Sequence, residues 1–293
     1  SARTSAPPPI PSIPTASDHT NVFTQVINLK NKSILISGAS SGIGAATAIA
    51  CANAGMRVGL LARREEKLEQ IAVKIGHDRC RVIVGSVDSD DDCQRALEMC
   101  DSEIGPLYAV LANAGYGQEK PCYSSSTEEI RAMFETNFFG SLRLVQPALR
   151  GFIERGEGHA IMVSSCLSKI GLPEYGTYCA TKAAQDHFCR AMRHELAGTG
   201  VSVSSVHPIG TKTEFFDEAA KRSGGKLGLT GSSERFMQSP ERVASAIVRC
   251  LQKPKGEVWT SVPTRLAIAA SVAFPGITDW GIARAMRKRG SHG

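Results

Sequence analysis

The sequence predicts an α/β fold in which one parallel sheet is doubly wound by helices on both faces. Short apolar runs alternate with stretches of helical periodicity along most of the chain, and this rhythm is typical of βαβ units. The runs are apolar on both strand faces, as expected for a parallel sheet covered on both sides. Ligands of such sheets bind beyond the carboxyl ends of the strands. Functional residues are therefore expected directly after strands.

The elements are predicted in chain order. Strands are expected at 34–36, 58–61, 81–84, 107–112, 160–163 and 201–206. Helices are expected at 45–54, 65–75, 91–99, 128–149, 178–196 and 240–251. Each of the first five helices connects two successive strands, as parallel pairing requires.

Composition limits the class of protein. The 293 residues, 42% of them hydrophobic and 21% charged, suffice for one large domain with a sizeable core. A net charge of +6 is mild, and no nucleic-acid partner is expected without a concentrated basic face. The nine cysteines are scattered, so we expect reduced thiols and no metal site. No export signal or membrane-length apolar run is visible, which predicts a cytoplasmic protein.

The chain is expected to divide into a tail and one domain. Residues 1–25 form the predicted tail, whose first 20 residues include five prolines and are rich in Ser, Ala and Thr. Such a composition offers few groups for a core and predicts a disordered extension. Residues 26–293 are expected to form the domain.

A glycine-rich turn follows the first predicted strand. Glycines at this point permit a tight turn and close backbone approach to a pyrophosphate, whose charge the following helix N-terminus favours. By itself the pattern leaves open a strand-to-helix turn with no ligand. The candidate dinucleotide-binding residues are Gly38, Ser40, Ser41, Gly42, Ile43 and Gly44.

The Gly-xxx-Gly-x-Gly spacing of this turn resembles that of the short-chain dehydrogenase/reductase superfamily, and the resemblance extends from Ser33 to about Trp259. It implies a Rossmann fold. After the fourth strand, Asn113, Ala114 and Gly115 resemble the family's Asn-Ala-Gly element, with Ala112 where the family usually has Asn. The resemblance implies that this element supports the sheet beneath the cofactor and approaches its adenosine ribose.

Tyr178 and Lys182 lie four residues apart at the start of a predicted helix and so share one face. A cation near a phenol lowers its pKa from about 10 toward the neutral range needed for proton transfer. Ser165 precedes Tyr178 by 13 residues, and Asn137 lies in the predicted helix 128–149. A lone Tyr-xxx-Lys pair would indicate only a solvated helix face, but these four residues resemble the family's Asn-Ser-Tyr-Lys tetrad in order and place.

The resemblance implies an oxidoreductase that interconverts a carbonyl and an alcohol by hydride transfer. It assigns Ser165 to orienting and polarising the substrate oxygen and Tyr178 to proton transfer. Lys182 is assigned to lowering the Tyr178 pKa and binding the nicotinamide ribose, and Asn137 to holding a water that links Lys182 to solvent. The protein then supplies positioning and proton transfer, because the cofactor carries the redox chemistry.

The segment after the sixth strand, residues 207–213, resembles the one that lines the nicotinamide in this family. Ile209 replaces the usual glycine there. Thr213 is implied to contact the carboxamide or the pyrophosphate. His207 is expected to be structural, because the tetrad already supplies the proton carriers.

Residues at the end of the second strand predict the cofactor. Ala62 stands where an acidic residue would bind the ribose of NAD(H), and Arg63 and Arg64 follow it. The absence of a carboxylate and the presence of a guanidinium favour NADP(H), with NAD(H) as the alternative. Two departures weigh against this preference: Ser41 replaces a second basic residue, and Ser86 replaces the adenine-side Asp. If NAD(H) is the cofactor, Arg63 and Arg64 are only solvated charges at the end of the strand.

Residues 214–238 are predicted to form a substrate lid. Its apolar residues, Phe215, Phe216, Leu227 and Phe236, favour a small lipophilic carbonyl or alcohol as the substrate. A lid helix that packs on its own domain fits them equally well.

The C-terminal segment, residues 264–293, ends in a basic cluster at 284–289. It is expected to pack on the substrate side of the domain or at a subunit contact. Peripheral contact with a membrane surface is the weaker alternative.

Helices 128–149 and 178–196 are apolar around much of their circumference. Since family members pair through these helices, the resemblance implies a homodimer or homotetramer. A non-catalytic dinucleotide-binding regulator on the same fold is the main rival function, and the intact tetrad argues against it. Sugar epimerisation or dehydration usually accompanies a Gly-xx-Gly-xx-Gly turn instead.

Overall fold

Seven parallel strands form one sheet in this computed structural model, which describes residues 26–225 and 237–290. The strand order is β3-β2-β1-β4-β5-β6-β7, so the order reverses between β1 and β4, where doubly wound sheets bind ligands. The predicted fold class is confirmed. The strands are β1 (Ser33–Ser37), β2 (Arg57–Ala62), β3 (Cys80–Val84), β4 (Leu107–Ala112), β5 (Gly158–Val163), β6 (Val201–His207) and β7 (Glu257–Trp259).

Helices cover both faces of the sheet. They are α1 (Gly42–Asn53), α2 (Glu65–Ile75), α3 (Asp90–Glu103), α4 (Thr127–Phe134), α5 (Gly140–Arg155), α6 (Gly176–Glu195), α7 (Glu214–Arg222), α8 (Pro240–Gln252), α9 (Val262–Ala273) and α10 (Pro275–Gly290). The predicted bounds of α2 and β4 agree with the structure, and the other predicted elements differ at their ends by a few residues. The short edge strand β7 was not predicted.

Alternation along the strands divides the core into two layers. Ile34 and Ile36 of β1 pack in a cluster with α1, α2 and α8, whereas Leu35 packs on the other face with α3, α5 and α6. This period of two is what a strand buried on both faces produces.

The predicted helix 128–149 is confirmed, but it contains a π-helical turn that the sequence did not predict. α4, the turn Glu135–Phe139 and α5 follow one another without a break. At the turn the Asn137 carbonyl accepts hydrogen bonds from the side chains of Gln185 and Ser141, which give this carbonyl partners outside the regular helical ladder. Such turns are frequent at functional sites.

Three predicted segments reach beyond the described residues. The tail 1–25 lies outside them, as do Leu227 and Phe236 of the predicted lid and the last three residues of the C-terminal segment. The first part of the lid is α7. In the C-terminal segment, α9 contacts the 3₁₀ turn Cys166–Lys169 that follows Ser165. No residue of α9 is buried in the described structure.

Candidate active site

A cavity of about 770 Å³ opens at the carboxyl ends of the strands. Its walls come from the segments that follow β1, β2, β4, β5 and β6, together with α6 and α7. It brings together most of the predicted site residues: Gly38, Ser40, Ser41, Gly42, Ile43, Arg63, Arg64, Asn113, Ala114, Gly115, Ser165, Tyr178, Lys182 and Thr213. Gly44 and Asn137 are buried behind these walls.

The turn after β1 requires glycine for both conformation and space. Gly38 and Gly42 have φ angles of 65° and 56°, in the left-handed region that residues with a Cβ rarely adopt. A Cβ on Gly42 would lie 2.9 Å from the methyl carbon of Thr213. Asn113 donates from Nδ2 to the Ser37 carbonyl at 3.0 Å. The Asn-Ala-Gly element therefore supports the turn directly.

The N-terminus of α1 faces the cavity without a side-chain cap. Its N-cap residue, Ser41, makes no capping hydrogen bond with its side chain, so that hydroxyl does not satisfy the first amides of the helix. Uncapped amides beside close-packed glycines suit the pyrophosphate of a dinucleotide. The residues present therefore fit such a cofactor.

A basic group lies over the outer edge of the glycine turn. Arg64 donates to the hydroxyls of Ser40 at 3.0 Å and Ser41 at 2.9 Å, and it pairs with Glu214 at 2.8 Å. Lys67 also pairs with Glu214. These two hydrogen-bonding cations lower the pKa of Glu214 to about 2. Glu214, the first residue of α7, therefore ties the predicted lid to the end of β2.

Arg63 differs from Arg64 in having no charged partner among the described residues. It is exposed and lines the cavity, and within the described part of the chain no carboxylate pairs with it. Its guanidinium is therefore available to an anionic ligand.

Tyr178 and Ser165 meet inside the cavity. Tyr178 is buried, and both Tyr178 and Ser165 line the cavity. Burial raises the pKa of the phenol above its ordinary value, and the nearby Ser165 side chain lowers it in part. The phenol is therefore held in its protonated form next to a hydroxyl that can share a ligand oxygen.

Lys182 is buried behind Tyr178, with Nζ 5.8 Å from the centre of the Tyr178 ring. Nζ donates to the Val163 carbonyl at 2.8 Å and to Gln185 Oε1 at 2.9 Å. Burial lowers the pKa of Lys182 to about 7, because a surrounding of low polarity disfavours the charged amine. This amine can therefore gain or lose a proton near neutral pH.

Gln185 is a site residue that the sequence reasoning missed. Its Nε2 donates to the Asn137 carbonyl at 2.6 Å and to the Ser141 hydroxyl at 2.7 Å, while its Oε1 accepts from Lys182. Asn137 exchanges two hydrogen bonds with the backbone of Tyr116, each of 2.9 Å. Gln185 therefore links Lys182 to the Asn137 carbonyl through one buried side chain. The available signal was a polar residue three positions after Lys182, on the same buried helix face.

His207 lies directly behind the Ser165 backbone. Its Nδ1 faces the Ser165 carbonyl at 3.1 Å and its Nε2 faces Asp186 at 3.3 Å, while its ring stacks on Trp259 at 4.5 Å. Asp186 also pairs with Lys169 at 2.6 Å, and its hydrogen bonds with His207 and Lys169 lower its pKa although burial opposes this. This buried group connects the loop that carries Ser165 to α6.

The fold, the uncapped turn and the Ser165–Tyr178–Lys182 group define an oxidoreductase that uses a nicotinamide dinucleotide. A family model described as short chain dehydrogenase matches residues 32–224. The chain belongs to this family.

Related proteins and structures agree with this assignment. The chain is 31% identical over 233 residues to the uncharacterized oxidoreductase Lin0452 of Listeria innocua, covering 78% of this chain and 94% of that protein. It is 29% identical over 262 residues to the uncharacterized oxidoreductase YbbO of Escherichia coli, covering 88% and 96%. The closed form of a serine dehydrogenase complexed with NADP+ is similar in structure, with a TM-score of 0.71 and 25% identity, covering 78% of this chain and 93% of that one.

Proposed function

We propose that this protein is an NADP(H)-dependent oxidoreductase that interconverts a carbonyl and an alcohol, with Tyr178 as the proton donor and acceptor. The observation that carries the proposal is that Tyr178 and Ser165 lie together in the cavity wall, with the buried amine of Lys182 behind the Tyr178 ring. A module that only binds a dinucleotide has no need of this arrangement.

Each residue of the group has a distinct task. Ser165 donates a hydrogen bond that orients and polarises the substrate oxygen, and Tyr178 gives or takes the proton at that oxygen. A nicotinamide bound in the cavity would supply the hydride in carbonyl reduction and accept it in alcohol oxidation. Protonated Lys182 stabilises the phenolate and so lowers the Tyr178 pKa that burial raises. Gln185 holds the amine of Lys182 in place through its 2.9 Å hydrogen bond.

The preference for NADP(H) is supported by the charges at the end of β2. Ala62 brings no carboxylate to this position, and Arg63 lines the cavity without a carboxylate partner among the described residues. A guanidinium binds a phosphate in a charge-assisted fork. Arg64 donates hydrogen bonds to the Ser40 and Ser41 hydroxyls. It therefore places at Ser41 the positive charge that the serine side chain lacks. A serine dehydrogenase of similar structure is complexed with NADP+, which supports the proposal.

An apolar wall beside Tyr178 supports a lipophilic substrate. Phe215 of α7 lies 5.5 Å from the Tyr178 ring, centre to centre, and Leu167 and Leu172 also line the cavity. Burying an apolar ligand surface against these side chains contributes about 25 cal/mol per Å². The substrate class proposed is therefore a small carbonyl compound or alcohol with an apolar body.

The test is a turnover screen of steroids, retinoids, quinones, aliphatic ketones and sugars with NADPH and NADH. We expect NADPH oxidation with at least one lipophilic carbonyl and higher kcat/KM with NADPH than with NADH. Tight dinucleotide binding with no turnover of the whole panel would favour the non-catalytic regulator. Turnover restricted to sugars would remove the lipophilic substrate class.

A further inference from the structure

Helix α9 is mostly apolar and yet exposed. Its twelve residues include a single charged side chain, Arg265, and none of them is buried against the described structure. A helix with so few polar side chains normally lies inside a protein core or in lipid. Among the described residues, this part of the surface therefore lacks the covering that its composition favours.

The helix pair touches the rest of the domain along a narrow line. Only Thr264, Ile268 and Ser271 of α9 are half-buried, and their spacing of four and three residues places them on one side of the helix. The remaining sides carry large exposed apolar residues, of which Leu266 is 65% exposed. In α10, Ile277 is 70% and Trp280 is 62% exposed. These large apolar side chains lie within fifteen residues of one another in the sequence and are all exposed, whereas apolar residues on a surface are normally isolated.

The charge of the same element points to its occupant. Residues 262–287 contain three arginines, Arg265, Arg284 and Arg287, and one carboxylate, Asp279. The Arg284 guanidinium lies over the Trp280 ring at 5.8 Å. Tryptophan and arginine beside apolar residues are typical of segments placed at the boundary of lipid tails and headgroups. Excess positive charge is complementary to anionic headgroups.

The bend between α9 and α10 argues against a straight membrane span. In the described chain no single helix is both long and apolar enough to cross a membrane, and α9 and α10 reach that length only together, across a 107° bend. An apolar helix with basic flanks that is too short to span can lie in the interface plane.

We propose that α9 and α10 form a binding element for an anionic lipid surface. Leu266, Ile277 and Trp280 enter the boundary of the acyl chains, and Arg284 and Arg287 contact the headgroups. Because α9 contacts the turn Cys166–Lys169, the element lies next to the loop that carries Ser165. The proposal does not depend on the reaction assigned to the cavity.

Tryptophan fluorescence gives a direct test, since the chain has only Trp259 and Trp280. In Trp259→Phe, vesicles of phosphatidylglycerol and phosphatidylcholine should shift the emission of Trp280 to shorter wavelength. The matched variant Trp280→Phe, which keeps the half-buried Trp259, should show no such shift. An unchanged Trp280 spectrum at saturating lipid would overturn the proposal.

Co-sedimentation with vesicles tests the two components separately. Ile277→Glu should lower binding by tenfold or more, whereas Val73→Glu, at an apolar residue of α2 that is also 70% exposed, should leave it unchanged. Arg284→Glu with Arg287→Glu should likewise weaken binding to anionic vesicles, and Arg242→Glu on the exposed face of α8 should not.

The remaining outcomes count against a lipid surface. Equal binding to pure phosphatidylcholine would remove the headgroup contact. Loss of self-association in Ile277→Glu, with no vesicle binding by the unmodified protein, would instead assign the surface to a second copy of the chain. If residues 226–236 or the N-terminal 25 residues cover this surface, the protein should bind vesicles only after those residues are deleted. That result would also contradict the proposal.

Discussion

Lys182 and Asn137 are joined through one buried side chain, that of Gln185, which accepts from the Lys182 amine at 2.9 Å and donates to the Asn137 carbonyl at 2.6 Å. Asn137 lies in the π-helical turn between α4 and α5. The hydrogen bond from Gln185 to the Asn137 carbonyl therefore also stabilises this turn. The charge of the lysine and the conformation of the turn are thus coupled by one amide.

Changing this amide should move the pKa of Lys182 in opposite directions. Gln185→Glu places a carboxylate against the amine and should raise its pKa, whereas Gln185→Leu removes an acceptor and should lower it. In the pH profile of kcat/KM, we expect the limb assigned to Lys182 to move up in the first variant and down in the second, by about one pH unit each, which corresponds to about 1.4 kcal/mol. Shifts in the same direction, with both variants folded, would reduce Gln185 to a packing role.

The buried amine should also affect stability as pH changes. The pKa of Lys182 is about 7 in the folded protein, below the ordinary 10.5, so the unfolded chain retains a proton that the folded one releases between these values. Stability therefore rises with pH in that window, by up to about 1.4 kcal/mol per pH unit, and the burial cost is fully present below pH 7. Denaturant unfolding of the cofactor-free protein at pH 7, 8.5 and 10, relative to Lys182→Met, measures this. A difference that stays constant over that range would contradict it.

Cofactor preference should reverse in Ala62→Asp/Arg63→Ile. The new carboxylate repels a 2′-phosphate and binds a ribose hydroxyl, and the guanidinium that binds the phosphate is lost. We expect the ratio of kcat/KM for NADPH over NADH to fall by at least about tenfold, which is 1.4 kcal/mol. Arg81→Ile, on the exposed part of β3, is the control. An unchanged ratio, or a wild type that prefers NADH, would remove the assignment of Arg63.

Self-association should depend on an aromatic group at the surface of α6. Phe188 is 43% exposed and packs on Phe138 at 4.9 Å, and Phe138 packs on the exposed Phe139 at 5.3 Å. We expect light scattering to show a dimer or tetramer at micromolar concentration, because such a group is stabilised by burial against a second copy. Phe188→Glu should dissociate it, and Val73→Glu should not. A wild-type monomer would defeat this prediction.

Local patterns sufficed for much of the fold. Short apolar runs that alternate with helical stretches predicted the first six strands. The four-residue spacing of Tyr178 and Lys182 predicted that they share one helix face. Other features depend on contacts distant in sequence. Periodicity could not reveal the π-helical turn, because the Asn137 carbonyl in this turn accepts a hydrogen bond from Gln185, which lies on another helix. Nor could it show that Arg64 reaches the turn serines while Arg63 remains without a carboxylate partner among the described residues. Likewise, the apolar sequence of α9 suggests a buried helix, yet no residue of α9 is buried in the described structure.

Single-turnover hydride transfer in Tyr178→Phe tests the central claim most directly. Tyr175→Phe is the matched control, since it removes the hydroxyl of a buried ring 6.1 Å away, centre to centre. With NADPH affinity retained in both variants, Tyr178→Phe should lose turnover almost completely and Tyr175→Phe should keep it. If Tyr178→Phe keeps activity within about tenfold of wild type, a barrier change of only about 1.4 kcal/mol, Tyr178 is not the proton carrier and the account is wrong.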